Sequence, residues 1–474
     1  MIAAVSFLYI AIALWYLLGI TRGRWTLNPG PLFVLQQLAF FLGLLPLFNT
    51  SIEADNVHLY MCFGALCMFI AGNVFCQIAL PNARASGSFW AAPICRVETM
   101  MGFNVLIGLV ILASIVASVA YYRAVGYNLF MMGIVSFITS RGGVNDAATL
   151  RMQAYSGGQY FAPGYVNQFK NVLFPLLLSY LSARYILLRR RTDLFIVIAL
   201  FPLCLVFILG TGQRGAMFLA SVTAVLFFMA CLPRKPKRIV IGAVAVMLCA
   251  ALLLSTLILG RTVSRVQSSE DVAGLGREIV ARFSTDNQAS AVDGFRYIYE
   301  QPLHFGQGEW VYAFKDLIPG HEERVSLPSE LFREAYGTTR GTAPASIWGG
   351  AWYEFGIGGV LSLAFILGIL YHAVYARLCR GEKTLGRLLT YAALTQILGM
   401  WAAGSPETLF NVGLISVLVL MVLMKATVKL SGSSGFVNVW IGGGRWFLLP
   451  QRRQKGIDLE QQGSVYGVGR GEMR

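Results

Sequence analysis

ARFSTDNQASAVDGFRYIYEQPLHFGQGEWVYAFKDLIPG, Ala281–Gly320, is the middle of the longest polar segment in the chain, Arg261–Ser346. Acidic residues, arginines, aromatic rings and turn-forming glycines crowd into this segment, and a hydrophobic helix candidate abuts each of its ends. It therefore reads as a long loop set between membrane spans. The chemistry, if there is any, is expected in this loop or facing it.

Working outward, the composition agrees. Hydrophobic residues make up 56% of the chain and charged residues 13%, against about 25% charged in a soluble domain. A span needs roughly 20 largely apolar residues. By that measure about eleven spans are expected, at 2–20, 31–50, 57–80, 101–122, 165–188, 194–212, 216–232, 239–260, 347–375, 388–406 and 409–428. The fold class is thus an all-α polytopic membrane protein. It divides into spans and a first polar loop over 1–260, the long loop 261–346, the last spans over 347–428, and a basic tail from 429 to 474.

The formal charge of +15 would suggest nucleic acid in a soluble protein. Here it sits in loops, and no nucleic-acid partner is expected. Arg22 and Arg24, Arg84 and Arg96, Arg189–Arg191, the run Arg234–Arg238, and the cluster Arg377, Arg380, Lys383 and Arg387 all fall on one side with this span count. The bias of Lys and Arg toward the cytoplasm then puts the N-terminus outside and the C-terminus inside. The loops 123–164 and 261–346 and the hairpin tip at Arg214 face outside. The tail reads as mostly disordered, with Trp440, Trp446 and Phe447 able to lie on headgroups. Ile2–Ile20 reads as a retained span rather than a signal peptide. The eight cysteines show neither a disulfide framework nor a zinc spacing.

Arg214 stands at the tip of a hairpin between two spans, flanked by Gly212 and Gly215. A charge at membrane depth is expensive and marks a site by default; the plainer reading is an arginine paired with headgroup phosphates. Arg282, Arg296 and Arg340 in the long loop, with Arg141 and Arg151 in the first loop, complete a set of outward guanidiniums. A planar fork matches phosphate oxygens and keeps its charge at any working pH; surface pairing with Asp286, Asp293 and Glu300 is the alternative. Acid–base candidates are Asp286, Asp293, Glu309, His321, Glu322, Glu354 and Glu407. Of these, Glu354 enters a span beside Trp352 and Tyr353. Trp310 and the neighbouring aromatics fit either a small loop core or a platform on which sugars stack. GIGGV, 356–360, reads as a helix-packing element. No metal-ligand spacing, Walker loop or dinucleotide fingerprint is present, so neither metal nor cofactor is expected.

Taken in order, these pieces resemble one family. LGTGQRGAMFLASVTAVLF, 209–227, is similar to the arginine-bearing hairpin of bacterial oligosaccharide repeat-unit polymerases, the Wzy type. After one further span come the loop segments ARFSTDNQASAVDGFRYIYEQP and FGQGEWVYAFKDLIPG. GTTRGTAPASIWGGAWYEFGIGGV then leads into a "Y-x-E-F-G-x-x-G"-like helix, here Trp352-Tyr353-Glu354-Phe355-Gly356. The resemblance covers roughly 135–370.

The resemblance implies a GT-C-like glycosyltransferase in the bacterial inner (plasma) membrane, with its site facing the periplasm. It implies an undecaprenyl-diphosphate-linked oligosaccharide as both donor and acceptor, and a partner membrane protein that sets chain length. Arg214 and Arg282 match the family's arginine positions best, with Arg141, Arg151 and Arg340 beside them as diphosphate ligands. Glu354 comes before Asp286 as the base, and Trp352, Tyr353 and Trp310 as sugar contacts. The related O-antigen ligases would use His321 instead and transfer to lipid A core. A flippase would need a polar path through the spans, which are almost free of charge.

Overall fold

The computed structural model describes residues 2–22, 25–79, 85–92, 94–139, 150, 165–212, 214–232, 236–246, 249, 287–305, 310, 312–313, 327–337, 343, 345–401, 406–431, 435–442 and 445–448. Helix dominates. α1 (Ile2–Trp15) continues through a π-helical turn, Tyr16–Ile20, and α2 is Pro29–Leu44. α3 (Glu53–Ala79) and the short α4 (Ala85–Ala91) precede a strand, β1 (Ile94–Glu98). α5 (Met101–Val125) and α6 (Leu129–Ile138) follow. α7 runs from Tyr165–Gln168 through a π-helical turn, Phe169–Leu173, into Phe174–Leu188. α8 (Arg191–Leu209) and α9 (Arg214–Cys231) form the expected hairpin, and α10 (Asn287–Glu300) and α11 (Leu327–Tyr336) belong to the long loop. α12 (Ser346–Cys379), α13 (Leu385–Gly399), α14 (Glu407–Asn411) and α15 (Leu414–Ser431) lead to strands β2 (Phe436–Gly442) and β3 (Arg445–Leu448).

Among the described residues, seven helical segments have the length and apolar character to cross a membrane, and Gly215–Cys231 is a shorter apolar helix. The seven correspond to expected spans one to six and nine. The eighth is described only at its start, where 236–246 is helical. Large side chains such as Phe7, Ile78, Leu109, Val116 and Phe195 are exposed on the bundle. That arrangement costs nothing against lipid tails, and the chain is a multi-pass membrane protein.

The helix ends follow from local chemistry. Asn28 accepts a hydrogen bond from Gly30 N at 3.2 Å and Pro29 occupies the first turn of α2. Thr384 accepts from Arg387 N at 3.3 Å to open α13.

The centre of the bundle is the parallel pair α3 and α12. A Cβ at Gly72 would lie 2.0 Å from the Phe365 carbonyl oxygen, and one at Gly368 would lie 2.1 Å from that of Phe69. Only glycine allows the two backbones to come this close. GIGGV, expected to be the packing element, is only partly so: Val360 is buried, but a Cβ at Gly358 would meet nothing within 4 Å and one at Gly359 would meet Phe355 of its own helix. Its Gly356 instead adopts φ 61°, ψ −162° and breaks α12, a conformation closed to residues that carry a Cβ.

At one end of the bundle β1, β2 and β3 form an antiparallel sheet, with Ile94 opposite Trp440 and Glu98 opposite Phe436. The expectation of a disordered tail is thus corrected for Phe436–Gly442 and Arg445–Leu448, and the helical fold carries a small sheet. FVNVW is rich in β-branched and aromatic residues, which suits a strand once ICRVE supplies an edge to pair with. Arg96 N bonds Lys383 O at 2.9 Å. The buried Glu98 carboxylate accepts from Gly386 N at 3.0 Å and from the Tyr180 hydroxyl at 3.0 Å. Burial pushes the Glu98 carboxyl above its usual range. The loop before α5, the loop before α13 and the tail meet here; these are segments that the basic-residue pattern assigns to a common side.

Candidate functional site

The other end of the bundle is built by α10 and the entry of α12. Ala291, Val292, Phe295 and Ile298 recur at helical spacing on α10 and are all buried. The Phe295 ring stacks on the buried His58 ring with centroids 4.4 Å apart, and meets Trp352 edge-on at 5.5 Å. Arg296 fixes α10 from the side. Its Nε and one terminal nitrogen donate to the two Asp55 oxygens at 2.8 and 2.7 Å, and the other terminal nitrogen donates to Asp293 at 3.0 Å. Asp55 also accepts from Asn49 N at 2.7 Å. The Asp55 hydrogen bonds hold the guanidinium pKa above its ordinary value. Tyr299 donates to Glu53 at 3.0 Å. Arg296 is therefore a docking residue, paired chiefly with Asp55 rather than with the loop carboxylates.

Past α10 the chain turns back onto α12 beside the break at Gly356. His304 N donates to the Tyr353 carbonyl at 3.1 Å, and the His304 ring stacks on Tyr353 at 4.4 Å. Tyr353 is buried with Ile298, Leu327 and Leu331, so its near ring face is covered by protein. Trp352 and Trp310 are half-buried. Trp310 lies 5.6 Å from Trp401 and donates its backbone N–H to one Glu354 oxygen. Glu354 is 0% exposed. A carboxylate inside a helix long and apolar enough to cross a membrane is thus roofed by the Trp310 backbone.

The hairpin tip is a second feature of this bundle. Gly210 packs so closely that a Cβ there would lie 2.3 Å from both the Tyr122 hydroxyl and Asn128 Nδ2. Tyr122 donates to Phe207 O at 2.6 Å and Asn128 to Val206 O at 3.1 Å. Gly212 takes φ 70°. These contacts fix the turn that delivers Arg214 to the first position of α9; its side chain lies outside the described residues. Arg141, Arg151, Arg282, Asp286, Glu309, His321, Glu322 and Arg340 also lie outside them, as does the side chain of Glu407.

The sequence reading passed over three residues that the structure singles out. Asp55 and His58 stand just at the start of the third span, and Lys170 stands inside the fifth. Lys170 is wholly buried; an ionisable residue within an apolar run was the signal available for it. Among the described residues, no group of His, Cys, Asp and Glu is arranged to hold a metal ion. Comparison with protein-family models, curated proteins and solved structures finds no match.

Proposed function

We propose that this protein polymerises undecaprenyl-diphosphate-linked oligosaccharide repeat units in the bacterial inner membrane. The growing glycan is transferred to a sugar hydroxyl of the next lipid-linked unit on the periplasmic side. The observation that carries this reading is the buried Glu354, held by the backbone N–H of the half-buried Trp310, on the helix whose Trp352 packs against Phe295 of α10. They lie where the long loop's α10 docks on the entry of α12, the stretch that carries the strongest family resemblance.

In the proposed reaction the acceptor hydroxyl oxygen attacks the anomeric carbon that joins the donor glycan to its diphosphate. The carbon–oxygen bond to phosphate breaks, and undecaprenyl diphosphate leaves with the bonding electron pair. The hydroxyl proton passes to a carboxylate, Glu354 ahead of Asp286. Arg214 and Arg282, with Arg141, Arg151 and Arg340, neutralise the leaving diphosphate. Glu354 faces the backbone of Trp310, so an acceptor reaches it only when the Trp310 segment shifts. Indole faces offer the apolar stacking surface that a sugar ring needs.

The test compares Glu354→Gln, Asp286→Asn and His321→Ala for glycan length in cells and for folded yield. A positioned base typically contributes about 10²–10⁴-fold, so Glu354→Gln is expected to be folded and unable to extend glycans. Normal polymerisation by Glu354→Gln removes it as the base and leaves it an anchor for Trp310. Loss confined to His321→Ala turns the reading to a ligase. Arg214→Lys and Arg282→Lys are expected to lose about 10²–10³-fold in turnover, as when one donor to a developing anion is removed. An ammonium lacks the guanidinium fork and rescues poorly.

A further inference from the structure

Lys170 is the second residue of the π-helical turn Phe169–Leu173 in α7. The turn stands just before Pro175, which has no N–H for the carbonyl four residues back and would clash with it. Widening the helix there relieves the clash and re-aims the side chains, and such bulges recur at functional sites. The result is a lysine with 0% exposure.

Its surroundings do not neutralise it. Nζ lies 4.7 Å over the Tyr121 ring centroid and 5.8 Å over that of Tyr122. Among the described residues it has no hydrogen-bond partner and no carboxylate. The contrast with Arg184 is instructive. That arginine is also buried, and its guanidinium is held by Asp193 at 2.6 and 2.9 Å. Burying an ion carries a large desolvation cost, and a cation–π contact returns only part of it. Among the described residues no anion stands beside it.

The position says which anion. Tyr122, beneath the lysine, is the residue whose hydroxyl abuts Gly210 in the hairpin turn. The next residue, Thr211, is 1% exposed, and its hydroxyl has no hydrogen-bond partner among the described residues. Arg214 opens α9 three residues further on. A buried ammonium and a buried hydroxyl thus flank one tyrosine at the arginine-bearing tip, between two helices apolar enough to cross a membrane.

We infer that Lys170, with Thr211, binds the phosphate group of a polyprenyl diphosphate lipid inside the bundle. The inference rests on the proposed function for the identity of the lipid. The binding site itself is independent of catalysis, so its test needs no sugar and no turnover.

Full-length protein purified in detergent is titrated with undecaprenyl diphosphate, undecaprenol and inorganic diphosphate, with binding read from the shift in thermal unfolding. Wild type is expected to bind undecaprenyl diphosphate. Lys170→Met is expected to bind it at least about 10-fold more weakly, the loss of one charge-assisted hydrogen bond. Undecaprenol binding should be unaffected. Without ligand, Lys170→Met should unfold at or above the wild-type temperature, because it removes an unneutralised buried charge. Lys170→Gln serves as a second, polar variant.

Equal binding of undecaprenyl diphosphate by wild type and Lys170→Met overturns the inference and leaves the polymerase reading intact. So does failure of both variants to fold, which makes the lysine a strut. Wild type that binds neither diphosphate overturns it as well. Competition by inorganic diphosphate at equal concentration assigns the site to a free anion rather than a lipid. Lys170-dependent lipid binding without any glycan extension in cells would keep the site and sink the polymerase reading.

Discussion

The pair Asp55–Arg296 is what the structure uses to seat the long loop on the bundle, and its strength is measurable. Asp55 is 2% exposed and Arg296 32% exposed, with the closest approach 2.7 Å. Replacing Arg296 by Met strands a buried carboxylate whose remaining donor is the backbone N–H of Asn49. Breaking a fully buried pair costs 3–5 kcal/mol. Water reaches one partner here, so the loss is placed lower, at about 2–3 kcal/mol. Asp55→Asn together with Arg296→Met removes both charges and should recover part of that loss. The coupling energy from the four-member cycle is then expected at about 1.5 kcal/mol or more, above the scatter for independent sites. Hydrogen exchange of the α10 amides is the assay, because it reads local opening. Arg296→Met should speed exchange along Asn287–Glu300 by roughly 30–150-fold, the ratio equivalent to 2–3 kcal/mol. The sheet at the opposite end should be unaffected. Additive single effects, or equal acceleration at both ends, would refute the claim that this pair docks the loop.

Two further outcomes are expected. Gly368→Val places side-chain atoms on the Phe69 carbonyl and should cost at least the 1–3 kcal/mol typical of overpacking, seen as loss of folded protein in detergent. Gly358→Val, with open space at its Cβ, should be tolerated. For topology, Ser284→Cys should be labelled from outside intact cells and Ser433→Cys should not, since the tail's strands pair with the loop before α5; labelling of both would overturn the side assigned to the site.

Much of the fold was legible because lipid imposes a simple rule. Spans such as Met101–Val125 are runs of apolar residues, and their hydropathy is a local property. What escaped the reading depends on partners far away in the chain. FVNVW carries a strand pattern, yet nothing near it shows that Ile94–Glu98 will supply the edge. Arg296 was visible as a loop arginine, but its partner Asp55 lies 241 residues away. Gly356 was read with its neighbours as a packing motif. Its work is to break α12 where His304 N meets the Tyr353 carbonyl, and the close contacts belong to Gly72 and Gly368. Lys170 was hidden by its own surroundings, a lysine inside an otherwise apolar span. At the site, Glu354 and Trp310 were named from sequence and are joined in the structure, while Trp352 packs against Phe295 and Tyr299; the roof over Glu354 was not foreseeable, because it comes from a backbone N–H.

The central claim is glycan extension on a lipid carrier, and reconstitution tests it most directly. Purified protein in bilayers of defined lipid is given undecaprenyl-diphosphate-linked repeat units of one length, and the glycans are resolved by size. The account predicts a ladder spaced by one repeat unit, one undecaprenyl diphosphate released per added unit, and no ladder from Glu354→Gln. Repeat units recovered unextended by folded wild-type protein, or transferred only when lipid A core is supplied, would contradict it.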